Sequence, residues 1–377
     1  MARETGGQKE LGERVRDAGL CTGCGACVNL CPYQVFHRDR TIVLNPCDIE
    51  AGRCYAFCPR TPADLGEMRR RLLPGAEITP EIGPVRSFHI IRASDARLRE
   101  KAQHGGTVSA LMALALREGL IDTAVVAEGR ERFLHSGAAV QDPDEVWKRG
   151  GSKFIASATV AEFNRAARGT AERIGVVATP CQAFALAKMR LKPKLDSGTN
   201  PIDRLKLTIG LFCGFTFSWS KLSGLLEKHV GLERVRGMEI PPGEGVLEIR
   251  LDGGRRTFPI EEIRDCIRES CRYCTDTTAE FADISIGSAR LGGSWEESRS
   301  WNQVIVRTAA GAALFELAIE RGILELHDVP EGNLDMLKGA AAAKKREALK
   351  NLAEKSGNAC DLLYLDARDP VIAGLCS

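Results

Sequence analysis

Seven of the chain's fourteen cysteines, Cys21, Cys24, Cys27, Cys31, Cys47, Cys54 and Cys58, fall within the first 60 residues, and the next is Cys181. A disulfide scaffold spreads cysteine along a short secreted chain, and this one has 377 residues. Such clustering favours metal. In CTGCGACVNLCP, Cys21 to Pro32, four soft thiolates at spacings x2, x2 and x3 suit one iron-sulfur cubane, and the proline turns the chain after the last ligand. Zinc is served by isolated CxxC pairs and poorly by this run.

In proteins that carry two such clusters, the fourth cysteine of each run ligates the other cluster. On that scheme the first centre takes Cys21, Cys24, Cys27 and Cys58, and the second begins with Cys31. The returning half, CDIEAGRCYAFCP, keeps Cys54 and Cys58-Pro59 in place, puts Ala51 where a ligand belongs, and shifts Cys47 by one position. The second centre therefore has three evident ligands, Cys31, Cys47 and Cys54. The fourth is open between Asp48, a cysteine from elsewhere, and none.

Lys plus Arg number 52 against 50 Asp plus Glu, a formal net charge of +2 that provides no field for steering polyanions. The first twenty residues mix charges and lack the apolar core of a secretory signal, and no apolar run approaches the roughly 18 residues that span a bilayer. The expectation is a soluble, cytoplasmic protein.

LPGAEITPEIGP closes the cysteine-rich segment at about residue 80, and helix and strand patterns alternate beyond it. In HGGTVSALMALALREGLIDTAVVAEG, Val108, Leu111, Met112, Ala115 and Leu116 follow helical spacing, Gly119 suits a C-terminal cap, and Thr123 to Ala127 reads as a strand. ERIGVVATPCQAFALAKMR reads as strand, turn and helix with Cys181 in the turn; DRLKLTIGLFCGFTFSWSKLSGLLEKH repeats this with Cys213 closing the strand. Both cysteines thus lie past the C-terminal ends of buried strands, where open α/β sheets place ligands. Either alone reads as a small buried hydrophobe. With Cys271 and Cys274 of CRYC they form a four-thiolate set. LEIRLDGGRRTFPI reads as two strands about an Asp-Gly-Gly turn, FADISIG and NQVIVRT as strands, ALFELAIERG as a helix, and AAAKKREALKNLAEKSG as a solvated or amphipathic helix without site chemistry.

TPCQAFALAKMR, LTIGLFC, CRYCTDTTAEFADISIGS and the HGGTVSAL segment resemble the beta subunits of coenzyme F420-reducing hydrogenases and F420-linked formate dehydrogenases, from about residue 86 to 345. The resemblance implies an α/β (α+β) fold, with a ferredoxin-like iron-sulfur domain at 1–80, a larger FAD-binding core with a mixed sheet at 81–340, and a helical tail at 341–377. It implies a [4Fe-4S] cluster on Cys181, Cys213, Cys271 and Cys274, two to three such clusters in all. The flavin site it implies uses His104, Gly105, Gly106 and Thr107 at a helix N-terminus, Gly151, Ser152, Lys153 and Phe154, and Asp283 with Gly287. Cys266 lies outside the motif and is open between a spare thiol and a replacement ligand, and Cys360 and Cys376 have no assigned role.

The expected activity is that of an oxidoreductase subunit that links one-electron iron-sulfur centres through FAD to hydride exchange with coenzyme F420. It calls for no side chain as acid, base or nucleophile. The expected partners are a hydrogenase, formate dehydrogenase or heterodisulfide-reductase-type subunit, or ferredoxin, in a hetero-oligomer. The alternatives are a stand-alone ferredoxin-dependent reductase of an organic substrate, with the same cofactors, and a non-enzymatic iron-sulfur relay.

Overall fold

The computed structural model describes residues 5–376, apart from 130–133, 192–200 and 242. Strands β1 (Gln34–His37) and β2 (Arg40–Val43) form an N-terminal hairpin, and β3 (Ile78–Thr79) and β4 (Gly83–Pro84) form a second, minimal one. Then follow β5 (Ser87–Ala93), β6 (Thr123–Gly129), β7 (His135–Val140), β8 (Ile174–Ala178) and β9 (Leu205–Leu211). Strands β10 (Val235–Glu239), β11 (Val246–Leu251) and β12 (Gly254–Pro259) make a separate antiparallel sheet, and β13 (Ile284–Ser288), β14 (Asn302–Val306) and β15 (Leu324–His327) return to the first.

The main sheet has eight strands in the order β15-β5-β14-β13-β9-β8-β6-β7. Its centre, β13, β9, β8 and β6, is parallel, and the strands outside that centre run antiparallel, so the expected mixed sheet is present. The parallel strands are apolar through most of their length because helices cover both faces. On one face Leu111, Met112 and Leu114 of the helix Thr107–Arg117 and Leu314 and Phe315 of the helix Ala309–Glu320 pack over Ile284, Ile286 and Val304. On the other, Val160 and Phe163 of the helix Thr159–Ala166 join Leu186 and Met189 of the helix Pro180–Leu191. The Gly119 cap is as expected, at φ +65°.

The cysteine-rich segment is part of this second core. Cys24, Ala26, Leu30 and Phe57 are buried with Phe163 and Leu186. Gly25 permits the approach: it lies at φ +82°, and a Cβ there would meet the Ala158 and Ala161 Cβ atoms at 2.7 and 2.9 Å. Buried Asn164 donates to the Ala26 and Val28 carbonyls, at 3.2 and 2.8 Å, and holds the loop on its helix.

The expected boundary at 340/341 falls inside one continuous helix, Asn333–Ser356. Leu349 and Leu352 of that helix, with Leu362, Tyr364 and Ile372, bury against Leu11, Val15, Tyr55 and Met68 near the N-terminus. The tail is therefore a structural partner of the first domain. Among the described residues no helix is long and apolar enough to cross a membrane.

Candidate cofactor site

Parallel strands deliver their chain ends to one edge of a sheet, and Cys181 and Cys213 arrive there together. The first sits in the opening turn of the helix Pro180–Leu191, which begins two residues after β8; the second sits two residues past β9. Cys271 lies in a short 3-10 turn, Glu269–Tyr273, whose Cys274 N–H closes on the Cys271 carbonyl at 3.2 Å. All four line one cavity of about 50 Å³, together with Cys24, Arg60, Lys153 and Lys344. Thr216 N–H points at the Cys271 Sγ at 3.4 Å, the Thr179 hydroxyl lies 3.3 Å from the Cys181 Sγ, and the Cys274 thiol donates to the Asp276 carbonyl at 3.4 Å.

Burial opposes the thiolate, and it pushes Cys181 and Cys213 up. At Cys274 burial acts the same way, but Lys344 and Arg60 outweigh it and the thiol falls below its ordinary value. Burial likewise opposes the charge on Lys344, and the surrounding Cys274 and Cys213 reverse the sign, so the ammonium is held more firmly than usual. No three His, Cys, Asp or Glu side chains among the described residues converge tightly enough for a single metal ion. Four soft donors spread around a cavity and faced by buried Arg60 and half-buried Lys344 fit a larger anionic group, a thiolate-bound cubane.

The N-terminal cysteines fall into two neighbourhoods that touch at Cys27 and Cys54. Cys27 has Cys21, Cys58 and, more weakly, Cys54 beside it, and Cys58 has Cys24 and Cys21. Buried Lys188 donates to the Cys58 carbonyl at 2.7 Å and to the Thr61 carbonyl at 2.9 Å. Cys54 instead has Cys31 and Cys47 beside it. Asp48 and Ala51 are exposed. Cys24 reaches the inner set: it lines the inner cavity, and among its charged neighbours Cys181 acts on it most strongly. Arg268 ties the two regions, donating to the Cys21 carbonyl at 3.3 Å and to the Asp39 carboxylate at 2.5 Å.

The glycine segment forms a second edge. Gly106 is left-handed at φ +76° and caps the helix Thr107–Arg117 without any side-chain hydrogen bond. Asn302 bridges this helix start to β13: its Oδ1 accepts from Thr107 N–H at 3.4 Å and its Nδ2 donates to the Gly287 carbonyl at 3.0 Å. A Cβ on Gly105 would lie 2.8 Å from that Oδ1. His104 Nε2 is 2.9 Å from the Ser288 hydroxyl, its ring meets Trp295 edge-on at 5.7 Å, and burial, with Arg299 adding to it, brings it down to about 4. The His104 Nδ1 and Thr107 hydroxyl are buried without partners among the described residues. A helix start with no capping side chain of its own and with orphaned polar atoms nearby fits an anionic group such as a phosphate.

Ser152 N–H donates to Gln103 at 3.0 Å, which sets the Gly151–Phe154 loop beside His104. Lys153 donates to the Gly150 and Gly151 carbonyls at 3.0 and 3.2 Å while lining the cysteine cavity, and the Phe154 carbonyl accepts from Phe217. Asp283 stands apart from this grouping. It precedes β13 at the end away from Gly287, and its carboxylate takes Thr208 N–H and the Thr308 hydroxyl, each at 2.7 Å. It is engaged in joining strands. Cys266 packs in the core of the small antiparallel sheet.

Lys344 corrects the expectation that the last helix has no site chemistry. Its lysine-rich pattern reads as solvated, yet Lys344 Nζ donates to the Cys213 and Asp276 carbonyls at 2.7 and 2.9 Å. Sequence reading also missed Arg60, Asn302 and Ser288. Pro59-Arg60 directly follows Cys58, and that adjacency was the available signal for Arg60.

Comparison with known proteins places these features. Residues 89–163 and 171–332 match the N-terminal and C-terminal models of the coenzyme F420 hydrogenase/dehydrogenase beta subunit, and residues 14–37 match a 4Fe-4S binding domain. Arg60 and Lys344 fall outside all three. The chain is 32% identical to the coenzyme F420 hydrogenase subunit beta of Methanothermobacter thermautotrophicus, over 73% of this chain and 96% of that one. It is 27% identical to the coenzyme F420-dependent sulfite reductase of Methanocaldococcus jannaschii, over 78% of this chain and 45% of that one. Among solved structures, a chain of the F420-reducing [NiFe] hydrogenase complex from Methanosarcina barkeri superposes with a TM-score of 0.66 at 27% identity, covering 74% of this chain and 94% of that one.

Proposed function

The chain belongs to the family of coenzyme F420 hydrogenase/dehydrogenase beta subunits, and from that membership we propose that it is an iron-sulfur flavoprotein component that couples one-electron transfer to hydride exchange with coenzyme F420. The observation that carries this reading is the shared cavity, where Cys24 of the N-terminal domain meets Cys181, Cys213, Cys271 and Cys274 of the core. One-electron centres in the two domains would then be neighbours, with no second protein between them.

Bound FAD would supply the ability to exchange electrons singly and in pairs, which joins clusters to a hydride carrier. The chain's own residues bind and orient. Cys181, Cys213, Cys271 and Cys274 hold the inner cluster, Cys21, Cys24, Cys27 and Cys58 a second, and Cys31, Cys47 and Cys54 a third that has three thiolates. His104 to Thr107 offer the helix start to an anionic part of the flavin, Lys153 stands between that edge and the cluster cavity, and Gly287 keeps the strand end low. Ile155 and Phe215 line the cavity and limit water. No side chain is assigned a proton transfer.

Several relatives bear the names of hydrogenase and formate dehydrogenase subunits, and the electron-exchanging partner of this chain is proposed to be of that kind. It would dock on the N-terminal domain, where Tyr33, Val43, Leu44 and Ile49 are exposed near the outer cysteines. Anaerobic purification, flavin extraction, iron and sulfide analysis, and a reduction assay with F420 against NAD test the proposal. The expected result is FAD, iron for two to three clusters, and F420 turnover with an artificial donor. Flavin-free protein indicates the relay instead, and flavoprotein that ignores F420 but reduces an organic substrate indicates the stand-alone reductase.

A further inference from the structure

Two cations at the inner cavity, buried Arg60 and half-buried Lys344, have no carboxylate partner among the described residues. Lys344 Nζ donates to two backbone carbonyls, those of Cys213 and Asp276, and forms no ion pair there. Its neighbour Lys345 shows the contrast: more deeply buried on the same helix, it is paired with Glu280 and donates to the Pro80 carbonyl at 2.7 Å. Arg60 donates to the Tyr364 hydroxyl and, at 3.1 Å, to the Ser270 carbonyl, and its guanidinium lies 4.8 Å from the Tyr364 ring centre. Its Nε is buried without a partner. Asp276, the acid at the cavity, is engaged elsewhere, accepting from Thr278 and Glu280 N–H groups at 2.8 and 2.9 Å.

A buried charge is costly unless an opposite charge compensates it. The opposite charge available to both side chains is that of the four thiolates. We infer that Lys344 and Arg60 are the counter-charges that set the reduction potential of the centre held by Cys181, Cys213, Cys271 and Cys274. This rests on the reading of those cysteines as cluster ligands. A thiolate-bound [4Fe-4S] centre has a net charge of about −2 before it accepts an electron, and nearby positive charge in a poorly solvated cavity stabilises the more negative reduced form. The two residues therefore raise the potential of the inner centre and make it the favoured resting place for an electron arriving past Cys24. They come from the N-terminal domain and the last long helix, outside the residues matched by the family models. The inner centre's potential thus depends on both terminal segments being seated.

The test is an anaerobic redox titration of the full-length, cluster-loaded protein followed by electron paramagnetic resonance, with the inner signal identified as the one lost in Cys213→Ser. Lys344→Gln keeps a donor and removes the charge; Lys344→Arg keeps the charge. Lys350→Gln, on the exposed side of the same helix, is the control. The inner midpoint potential is expected to fall in Lys344→Gln at unchanged iron content, and to stay near the parent value in Lys344→Arg and Lys350→Gln. An inner midpoint unmoved in iron-replete Lys344→Gln, or one that falls as far in Lys344→Arg, overturns the inference. Should Lys344→Gln lose iron, Arg60→Gln against Arg60→Lys is read by the same criterion. Absence of any inner signal from the parent protein would instead overturn the ligand assignment on which the inference rests.

Discussion

Two groups of cysteines at opposite ends of the proposed electron path share a chemistry and differ in setting. Cys181, Cys213, Cys271 and Cys274 surround an interior cavity with Arg60 and Lys344 facing it. Cys31, Cys47 and Cys54 are half-buried, and Cys47 and Cys54 flank in sequence the exposed Asp48, Ile49, Glu50 and Ala51. On the proposed reading, the inner set is compensated by protein charge and the outer set, beside exposed residues, has more solvent to do so. The proposed inner centre would then be tuned and protected, and the outer one reached.

The largest expected break in this comparison is Cys213→Ser, which removes an inner ligand. Iron should fall by about four atoms per chain and F420 reduction should drop to background, while the N-terminal clusters remain. Iron analysis beside the activity assay decides it, and retained inner iron would contradict the ligand assignment. Next in size is Asp39→Asn, which leaves Arg268 as an uncompensated buried cation between the two regions; the paired side chains are only 10% and 12% exposed. The cost should be about 3–5 kcal/mol, read from urea unfolding. A loss below about 1 kcal/mol would show that this pair does not couple the domains.

Ala51→Cys supplies the outer centre with the ligand that its sequence run lacks. It should raise iron by about one atom per chain and replace a three-iron paramagnetic signal by that of a complete cubane. An unchanged spectrum would mean that the outer trio already has a fourth donor. The smallest effect concerns pH. Burial, reinforced by Lys153, brings His135 down to about 4. The unfolded chain takes up that proton first, so the contribution is complete above the ordinary histidine value near 6.5 and is lost as pH falls toward 4. His135→Gln should flatten the stability profile between pH 7 and 5 by on the order of 1–2 kcal/mol. Parallel profiles for the two proteins would refute it.

Much of the site was legible in the sequence because it is built from short-range patterns. The CxxCxxCxxxCP run declares its chemistry within twelve residues, and Cys181 and Cys213 could be grouped because each closes an apolar run long enough for a buried strand. The helix that follows Gly106 was equally plain. Asp283 stands apart for a physical reason: an acid beside a strand looks the same in sequence whether it faces a ligand or, as here, accepts from a backbone N–H and a neighbouring threonine hydroxyl. The boundary expected at 340/341 lies inside the helix Asn333–Ser356, because the helix that reads from Ala341 in sequence continues back to Asn333 without a break.

The amino-acid sequence by itself determined which thiolates belong to which local run, that an α/β sheet would follow, and that the second N-terminal group offers three evident cysteines. Ligand spacing and strand periodicity are properties of neighbouring residues. Only the tertiary structure decided that Cys24 would open on the inner cavity and that Lys344, from a helix that reads as solvated, would stand beside Cys213. Compensation of buried charge depends on distance through space, and these partners, 131 positions apart, meet only when both ends of the chain have packed on the sheet.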